Sequence, residues 1–231
     1  MKNRNTDLAI EGGNNRRQFL KLAGFGTLGL ASGGLWPLLN FSTAGQNQET
    51  IPATEFRPGL DISLTARPGE VSIFPGAPTR VWQYHAIVHK GDKNRVIELP
   101  RSYLGPIIKV HQGEKIRIRY FNSIPEESIV HWHGLHVPAI MDGHPRYVIP
   151  QGQSYLYEFE VNNRAGTYWY HPHPHGRTGP QVYRGLAGLF LVSDEEEQAV
   201  GLPDDEYDIP LVLQDRMFDP DNQLVYTSGH R

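Results

Sequence analysis

The sequence contains no cysteine among its 231 residues. This absence excludes disulfides, thiolate nucleophiles, zinc ribbons and iron–sulfur clusters, so any bound metal must be held by nitrogen and oxygen ligands. The sequence also lacks an excess of positive charge, because 22 basic and 25 acidic side chains give a formal net charge of −3. Such a chain has no basic field for phosphate backbones, and we therefore expect no nucleic acid partner.

Long apolar runs are also scarce, and one of them lies in an N-terminal segment that resembles an export signal. Arg16 and Arg17 are followed by Phe19 and Leu20, the order typical of a twin-arginine signal. The uncharged run after them, residues 22–39, reaches only the lower limit for spanning a bilayer and contains five glycines. We therefore expect residues 1–44 to be removed after export rather than kept as an anchor. This predicts a periplasmic or extracellular location by the twin-arginine route, with only transient membrane contact.

Two short blocks hold six of the eleven histidines, VHWHGLHVP (130–138) and YWYHPHPHG (168–176). Each block contains an H-x-H step, and residues i and i+2 of a strand face the same side. If the two strands are neighbours, four imidazoles converge on one patch. Imidazole suits copper, zinc, iron and nickel, so the spacing alone leaves the metal open.

The remaining histidines occur singly and predict no site. A lone histidine is usually structural or solvated. We therefore assign no function to the five single ones, which are His85, His89, His111, His144 and His230.

From residue 61 onward the chain reads as short strands divided by Gly, Pro and Asn, without a stretch of helical periodicity. Residues 115–121 (KIRIRYF) and 153–161 (QSYLYEFEV) alternate in the manner of half-buried strands. Further strands are predicted at RVWQYHAIV, SIVHWHG, TYWYHPH, GLAGLFLV and YDIPLVLQD. The pattern predicts an all-β fold, a β-sandwich or small Greek-key barrel.

The length allows one sizeable domain and the start of another, at about 150 residues per domain. An acidic stretch that begins at residue 193, SDEEEQAVGLPDDE, reads as a solvated linker or a short surface helix. We predict five segments: a signal peptide at 1–44, a linker or N-terminal arm at 45–60, the first domain at 61–194, an acidic linker at 195–206, and the opening strands of an incomplete second domain at 207–231.

The order of HWHGLHVP, MDGHP, IPQGQSYLYEFEV, GTYWYHPHPHG and GLAGLFLV resembles the N-terminal cupredoxin domain of three-domain, laccase-like multicopper oxidases. The resemblance covers roughly residues 55–225 and implies a cupredoxin-like Greek-key fold that continues into the start of a second cupredoxin domain. It further implies copper as the cofactor, dioxygen and a reducing substrate as partners, and reduction of dioxygen to water. Phenols, aromatic amines and metal ions are all substrates in this family.

The resemblance also implies roles for the histidines, since members of this family bind a trinuclear copper cluster through H-x-H elements. His131 would bind the type 2 copper, and the type 3 pair would be bound by His133, His171 and His173. Two further histidines, His136 and His175, fall outside the ligand pattern and are expected either to support the ligands from outside the cluster or to be structural.

Two residues near these blocks carry further expectations. Asp142, in MDGHP, aligns with the acidic residue that helps to deliver protons in this family, a role consistent with general acid–base catalysis. It reads equally well as an ordinary Asp-Gly turn residue. Trp132 lies between two histidines that face the other way, so we expect it to pack in the core.

The chain departs from the family in what it lacks. The remaining cluster ligands and the type 1 copper site, with its cysteine, belong to a C-terminal domain in that family, and this sequence has no cysteine. Three explanations stay open: a fragment, one half of a split gene whose other half is a second chain, or a degenerate copy. Because the sequence ends without a domain-closing strand, we expect one of the first two.

Two other functions remain open at the level of sequence. One is a non-catalytic periplasmic module that binds copper or acts as a scaffold. The other is a zinc hydrolase that uses three of the histidines and a water molecule. Nothing in the sequence selects the reducing substrate, and three methionines do not favour a cuprous oxidase.

Overall fold

In a computed structural model of the protein, residues 55–203 and 207–227 are described. The predicted signal peptide and most of the N-terminal arm lie outside these residues. The strands of the described part are β1 (Leu60–Val71), β2 (Thr79–Lys90), β3 (Val96–Ile97), β4 (Ile107–His111), β5 (Lys115–Asn122), β6 (Val130–His133), β7 (Ser154–Glu160), β8 (Gly166–Pro172) and β9 (Gly188–Ser193). The α-helices are α1 (Thr178–Tyr183) and α2 (Glu195–Val200), and 3₁₀ turns occur at Lys93–Arg95, Ala139–Met141 and Pro145–Tyr147.

The strands form two sheets with the orders β2-β1-β5-β7 and β3-β4-β9-β8-β6. The β1–β5 and β4–β9 pairs are parallel, and the other pairs are antiparallel. Side chains from both sheets share one apolar core, as in a β-sandwich. The alternation read from β5 is real, since Ile116, Ile118 and Tyr120 are fully buried while the residues between them face outward. The predicted all-β fold is confirmed.

One contact between the two sheets holds the strand that carries the first H-x-H step. The hydroxyl of Tyr157, on β7, accepts a hydrogen bond from the Val130 N–H at 3.0 Å and donates to the Val130 carbonyl at 2.9 Å. Trp132, two residues further along β6, is fully buried, and its ring centroid lies 5.1 Å from that of Tyr157. The expectation that Trp132 packs in the core therefore agrees with the structure. Together these contacts fix which face of β6 turns outward.

The acidic stretch after β9 contains α2, the short surface helix that was one of its two predicted forms. The Asp194 side chain accepts a hydrogen bond from the Glu197 N–H at 2.8 Å and caps the helix. Acidic residues fill the first turn, where the helix dipole favours negative charge. The helix ends at Val200, and Gly201 after it is left-handed at φ +66°.

The chain beyond this linker differs from the prediction of opening strands. Within 207–227 the structure has a single bridge, between Phe218 and Leu224, and no strand at YDIPLVLQD. A strand needs a partner for its backbone groups, and no described segment pairs with these residues. Residues around the bridge pack on the first domain instead: the Phe218 ring meets Phe74 edge-on at 5.0 Å, and the Thr79 hydroxyl donates to the Asn222 carbonyl at 2.7 Å.

The segment boundaries stay predictions, although the strands run from Leu60 to Ser193, close to the limits expected for the first domain. Among the helices of the two described ranges, none has the length and apolar character needed to cross a membrane.

Candidate metal centre

The two H-x-H steps lie on neighbouring strands. β6 and β8 are antiparallel, and His131 is directly opposite His171 in their register, while His133 is opposite Trp169. Directly paired residues in an antiparallel sheet have Cβ atoms about 4.5–5.5 Å apart. The ladder therefore brings imidazoles from both blocks to one face of the sheet, as the spacing predicts.

Three imidazoles form a compact group. Each of His131, His133 and His171 offers one ring nitrogen, and these three atoms lie within 4.8 Å of one another. Within the group, Nδ1 of His133 lies 3.2 Å from Nε2 of His171. His171 is buried, His131 is half-buried and His133 is exposed, so the group lies at the surface of the sandwich and opens outward.

Backbone carbonyls fix which nitrogen of two rings is free. Nδ1 of His131 lies 2.6 Å from the carbonyl oxygen of Asp142, and Nδ1 of His171 lies 2.8 Å from the carbonyl of Pro172. A carbonyl can only accept, so each Nδ1 carries the proton and donates it. Nε2 of both rings is then unprotonated and available as a ligand.

Burial favours the neutral, metal-binding form of His171 and His173. The pKa of His171 is lowered to about 4, chiefly by desolvation. The Pro172 carbonyl opposes this lowering, and the neighbouring imidazoles add to it. The pKa of His173 is lowered as well, first by burial and then by His131. Neutral imidazole is the metal-binding form, because a protonated ring has no free lone pair.

His173 lies beside this group rather than within it. β8 ends at Pro172, and the His173 N–H donates to the Ile129 carbonyl at 3.0 Å. Its ring centroid lies 5.0 Å from that of His131 and 6.0 Å from that of His171. Its Nδ1 is buried and has no hydrogen-bond partner in the described part of the chain. Such an orphaned nitrogen is typical of a site that takes a further ligand.

The donor set fits a first-row transition metal such as copper. Two ligand nitrogens of one tetrahedral ion with bonds of about 2.0–2.1 Å stand about 3.3 Å apart, close to the 3.2 Å between His133 and His171. Neutral nitrogen donors without a thiolate suit copper, zinc, iron or nickel, whereas magnesium and calcium prefer oxygen.

Asp142 lies where both of its predicted roles can operate. It follows the 3₁₀ turn Ala139–Met141 and precedes Gly143, whose φ is +71°, so it is a turn residue. Its carboxylate Oδ1 also lies 3.2 Å from Nδ1 of His131, and 42% of its side chain is exposed. The carboxylate therefore reaches both the imidazole and solvent, and its role in proton delivery stays a prediction.

The other histidines lie outside the three-residue group. His136 and His175 are exposed. Three of the single histidines make ordinary local contacts: His85 with Glu98 at 3.1 Å, His89 with Ser63 at 2.6 Å, and His111 with the Gln112 carbonyl at 2.9 Å. His144 accepts from the Arg146 N–H at 3.1 Å, and His230 lies outside the described residues.

Sequence reasoning missed two residues at this site. Trp169 stacks on His171 at 4.2 Å between ring centroids and lies 5.0 Å from the ring of His133. Its position two residues before His171 is a signal that period-two alternation supplies. A cavity of about 420 Å³ lies beside the histidines, and Arg216 is one of the residues that line it. The Arg216 guanidinium lies 4.7 Å from the Tyr183 ring centroid. No local pattern indicates Arg216, because only tertiary packing brings it to the histidines.

Comparisons with known proteins show which family the sequence resembles. A family model described as multicopper oxidase matches residues 81–197. The multicopper oxidase mco of Staphylococcus aureus is 36% identical over 139 residues, 60% of this chain and 31% of that protein. The cell division protein FtsP of Escherichia coli is 31% identical over 210 residues, 89% of this chain and 40% of that protein.

A solved structure agrees at the level of the fold. The McoA multicopper oxidase of Aquifex aeolicus superposes with a TM-score of 0.63 at 38% identity, covering 74% of this chain and 36% of that one. The chain therefore spans less than half the length of the relatives that it matches, and its sandwich is cupredoxin-like.

Proposed function

Because the chain belongs to the multicopper oxidase family, we propose that it is the N-terminal portion of an exported oxidase that couples oxidation of a reducing substrate to reduction of dioxygen to water. The observation that carries the proposal is the group of three imidazole nitrogens within 4.8 Å at the β6–β8 pair. The proposal covers only part of the machinery, since the chain matches a minor part of each relative's length.

In this proposal the chain supplies half of a trinuclear copper site. His131 would hold the type 2 copper, and His133, His171 and His173 would hold the type 3 pair. Copper ions bound there would supply one-electron redox steps, and would lie close enough together to share the electrons that reduce dioxygen. His131 and His171 present Nε2, and His133 presents Nδ1, the nitrogen that already faces His171.

The protein around the site has its own tasks. Trp169 packs its ring against His171 and His133, which restricts the orientation of both imidazoles. The Asp142 carboxyl, partly exposed and 3.2 Å from Nδ1 of His131, is suited to hold a proton beside the cluster. Outer contacts of this kind orient metal ligands and tune them.

The other requirements lie outside the described residues. The remaining cluster ligands and a type 1 copper site would come from a C-terminal region or a second chain, because this sequence contains no cysteine. We propose export by the twin-arginine route to the periplasm or beyond on the basis of Arg16 and Arg17. The reducing substrate, whether a phenol, an aromatic amine or a metal ion, would be selected by that C-terminal region or second chain.

Copper binding provides the first test. The purified protein is loaded with copper(II), desalted and analysed for copper per chain, alongside His131→Ala and the control His175→Ala, which removes an exposed histidine outside the group. We expect copper in the wild type and in the control, and much less in His131→Ala. A wild-type protein that retains no copper contradicts the proposal.

Oxygen consumption provides the second test, on an assembly with the region that carries the remaining ligands. The proposal expects consumption of oxygen with a reducing substrate, and loss of that consumption in His131→Ala. The chain without that region is expected to bind copper and to consume no oxygen.

If zinc is retained in preference to copper when both are supplied, the zinc hydrolase is favoured instead.

A second candidate function is a non-catalytic copper-binding or scaffold module. One observation favours it: a relative named for cell division, rather than for an oxidase activity, matches more of this chain. The similarity to the cell division protein FtsP extends over 89% of the chain, whereas that to the Staphylococcus aureus oxidase covers 60%. The same assembly distinguishes the two candidates. A complex that holds copper and never consumes oxygen, with any of the three substrate classes, supports the scaffold.

A further inference from the structure

Gly143 occupies a position where no side chain fits. A Cβ at this residue would lie 2.0 Å from the carbonyl oxygen of Val130 and 2.7 Å from Cα of His131. Both atoms belong to the backbone of β6, which is held in the sheet and cannot move aside. The φ of +71° adds a conformation that residues with a side chain rarely adopt.

This close approach brings the preceding peptide onto the metal centre. The loop after β6 lies directly on the strand at Gly143, and the carbonyl just before it, that of Asp142, reaches Nδ1 of His131 at 2.6 Å. His131 and Asp142 are eleven positions apart in the sequence. The contact therefore depends on the loop lying against the strand, and a glycine is what permits that.

The backbone carbonyl and the side-chain carboxylate of Asp142 have different roles toward His131. The carbonyl is the nearer acceptor, at 2.6 Å against 3.2 Å for Oδ1. Because the carbonyl carries no proton and gains none, it holds the Nδ1–H form of His131 whatever the state of the carboxyl.

We propose that Gly143 is a positioning residue: it seats the Asp142 carbonyl on Nδ1 of His131 and so fixes the imidazole tautomer that presents Nε2 to the metal. The role as a metal ligand rests on the proposed function, whereas the tautomer is a property of the metal-free chain. Outer contacts that fix the tautomer of a ligand histidine typically change metal affinity by about 10- to 100-fold.

The test uses Gly143→Ala with Gly152→Ala as a matched control. Gly152 has a φ of +82°, so alanine there suffers the same backbone strain, but nothing lies within 4 Å of its Cβ. A third variant, Asp142→Ala, keeps the carbonyl and removes the carboxylate. The tautomer of His131 is read from long-range proton–nitrogen NMR spectra of metal-free, nitrogen-15-labelled protein, and copper(II) affinity by titration calorimetry.

We expect the Nδ1–H tautomer of His131 in the wild type, in Gly152→Ala and in Asp142→Ala, and its loss in Gly143→Ala. Copper affinity should fall by about 10- to 100-fold in Gly143→Ala and stay unchanged in Gly152→Ala. An Nε2–H tautomer in the wild type overturns the inference, even if Gly143→Ala fails to fold.

Two other results also overturn it: a folded Gly143→Ala that keeps the tautomer and the wild-type affinity, or an Asp142→Ala that loses the tautomer. The proposed function fails separately. A wild type that takes up no copper, yet shows the Nδ1–H form and loses it in Gly143→Ala, contradicts the copper site and supports the role of Gly143.

Discussion

The two H-x-H steps have the same sequence pattern and different structural support. In β6 both histidines, His131 and His133, belong to the strand, and the backbone before them is bonded to Tyr157 of the other sheet. In β8 the strand ends at Pro172, between His171 and His173, and the backbone of His173 keeps one bond to the segment before β6, from its N–H to the Ile129 carbonyl. One step therefore lies wholly within a strand, whereas the second histidine of the other step lies beyond the strand end and has a single backbone bond to the neighbouring segment.

This difference explains which imidazoles lie close together in the compact group. The three histidines within strands form the compact group, whereas His173, placed beyond the strand end, stands next to it with a buried and unpartnered Nδ1. A strand pair fixes side chains through its register, while the position of side chains in a turn depends on how the next segment packs. We therefore expect His133 and His173, the second histidines of the two steps, to differ in their contribution to metal binding.

The largest expected effect is a contrast between His133→Ala and His173→Ala. His133 is exposed, so its removal leaves the fold intact while taking away Nδ1, which lies 3.2 Å from Nε2 of His171. We expect copper(II) affinity to fall by at least about a hundredfold in His133→Ala, the upper end of what outer contacts contribute. His173→Ala should lose less, since its nitrogens lie outside the compact group.

Titration calorimetry measures both variants, with His136→Ala as a control that removes an exposed histidine outside the group. Circular dichroism confirms that each variant is folded. An equal or larger loss in His173→Ala would show that the turn positions its imidazole as well as the ladder positions the others, and the contrast between the two steps would be wrong.

A smaller effect is expected from the hydroxyls that hold the two strands. Tyr157→Phe removes the group that bonds both the N–H and the carbonyl of Val130, in a buried setting, and should lower the free energy of unfolding by about 1–3 kcal/mol. Tyr170→Phe removes one bond, from its hydroxyl to the Pro106 carbonyl at 2.8 Å, and should cost about 0.5–1.5 kcal/mol.

Urea unfolding of both phenylalanine variants gives the comparison, because each keeps its ring and changes only the hydroxyl. Leu156→Ala, on the outer face of β7 and 48% exposed, serves as the control. If Tyr170→Phe destabilises the protein more than Tyr157→Phe, then β8 rather than β6 is the more firmly held strand.

Much of this arrangement can be predicted from local pattern. Period-two alternation predicts that His131 and His133 share a face and that Trp132 faces the core, because that property belongs to a single strand. The register that sets His131 opposite His171 requires the order of strands in the sheet, which short-range pattern does not contain. The sequence therefore predicts the ligand types and faces, and the resemblance to a family supplies their pairing.

The parts that pattern missed depend on tertiary contacts. Helix α1 has six residues, too few for a helical period to be visible. The YDIPLVLQD segment alternates like a strand, yet Ile209, Leu211 and Leu213 are each more than 75% exposed, since no described edge pairs with them. The approach of Gly143 to Val130 is likewise invisible without the fold.

The smallest expected effect lies in the turn that carries His173 from β8 into α1. The Thr178 hydroxyl donates to the Pro174 carbonyl at 3.1 Å, so Thr178→Val removes this bond and keeps the shape of the side chain. The bond is only partly buried, and its loss should cost about 0.5–1 kcal/mol of unfolding free energy. Ser193→Ala, on β9, is the control, because it removes the hydroxyl bond to the Val110 carbonyl at 3.3 Å.

Because the compact group does not involve this turn, copper affinity should stay at the wild-type value in both variants. If Thr178→Val weakens copper binding as much as His173→Ala does, then the turn is as rigid a support as the strand, and the two H-x-H steps are equivalent in the folded protein.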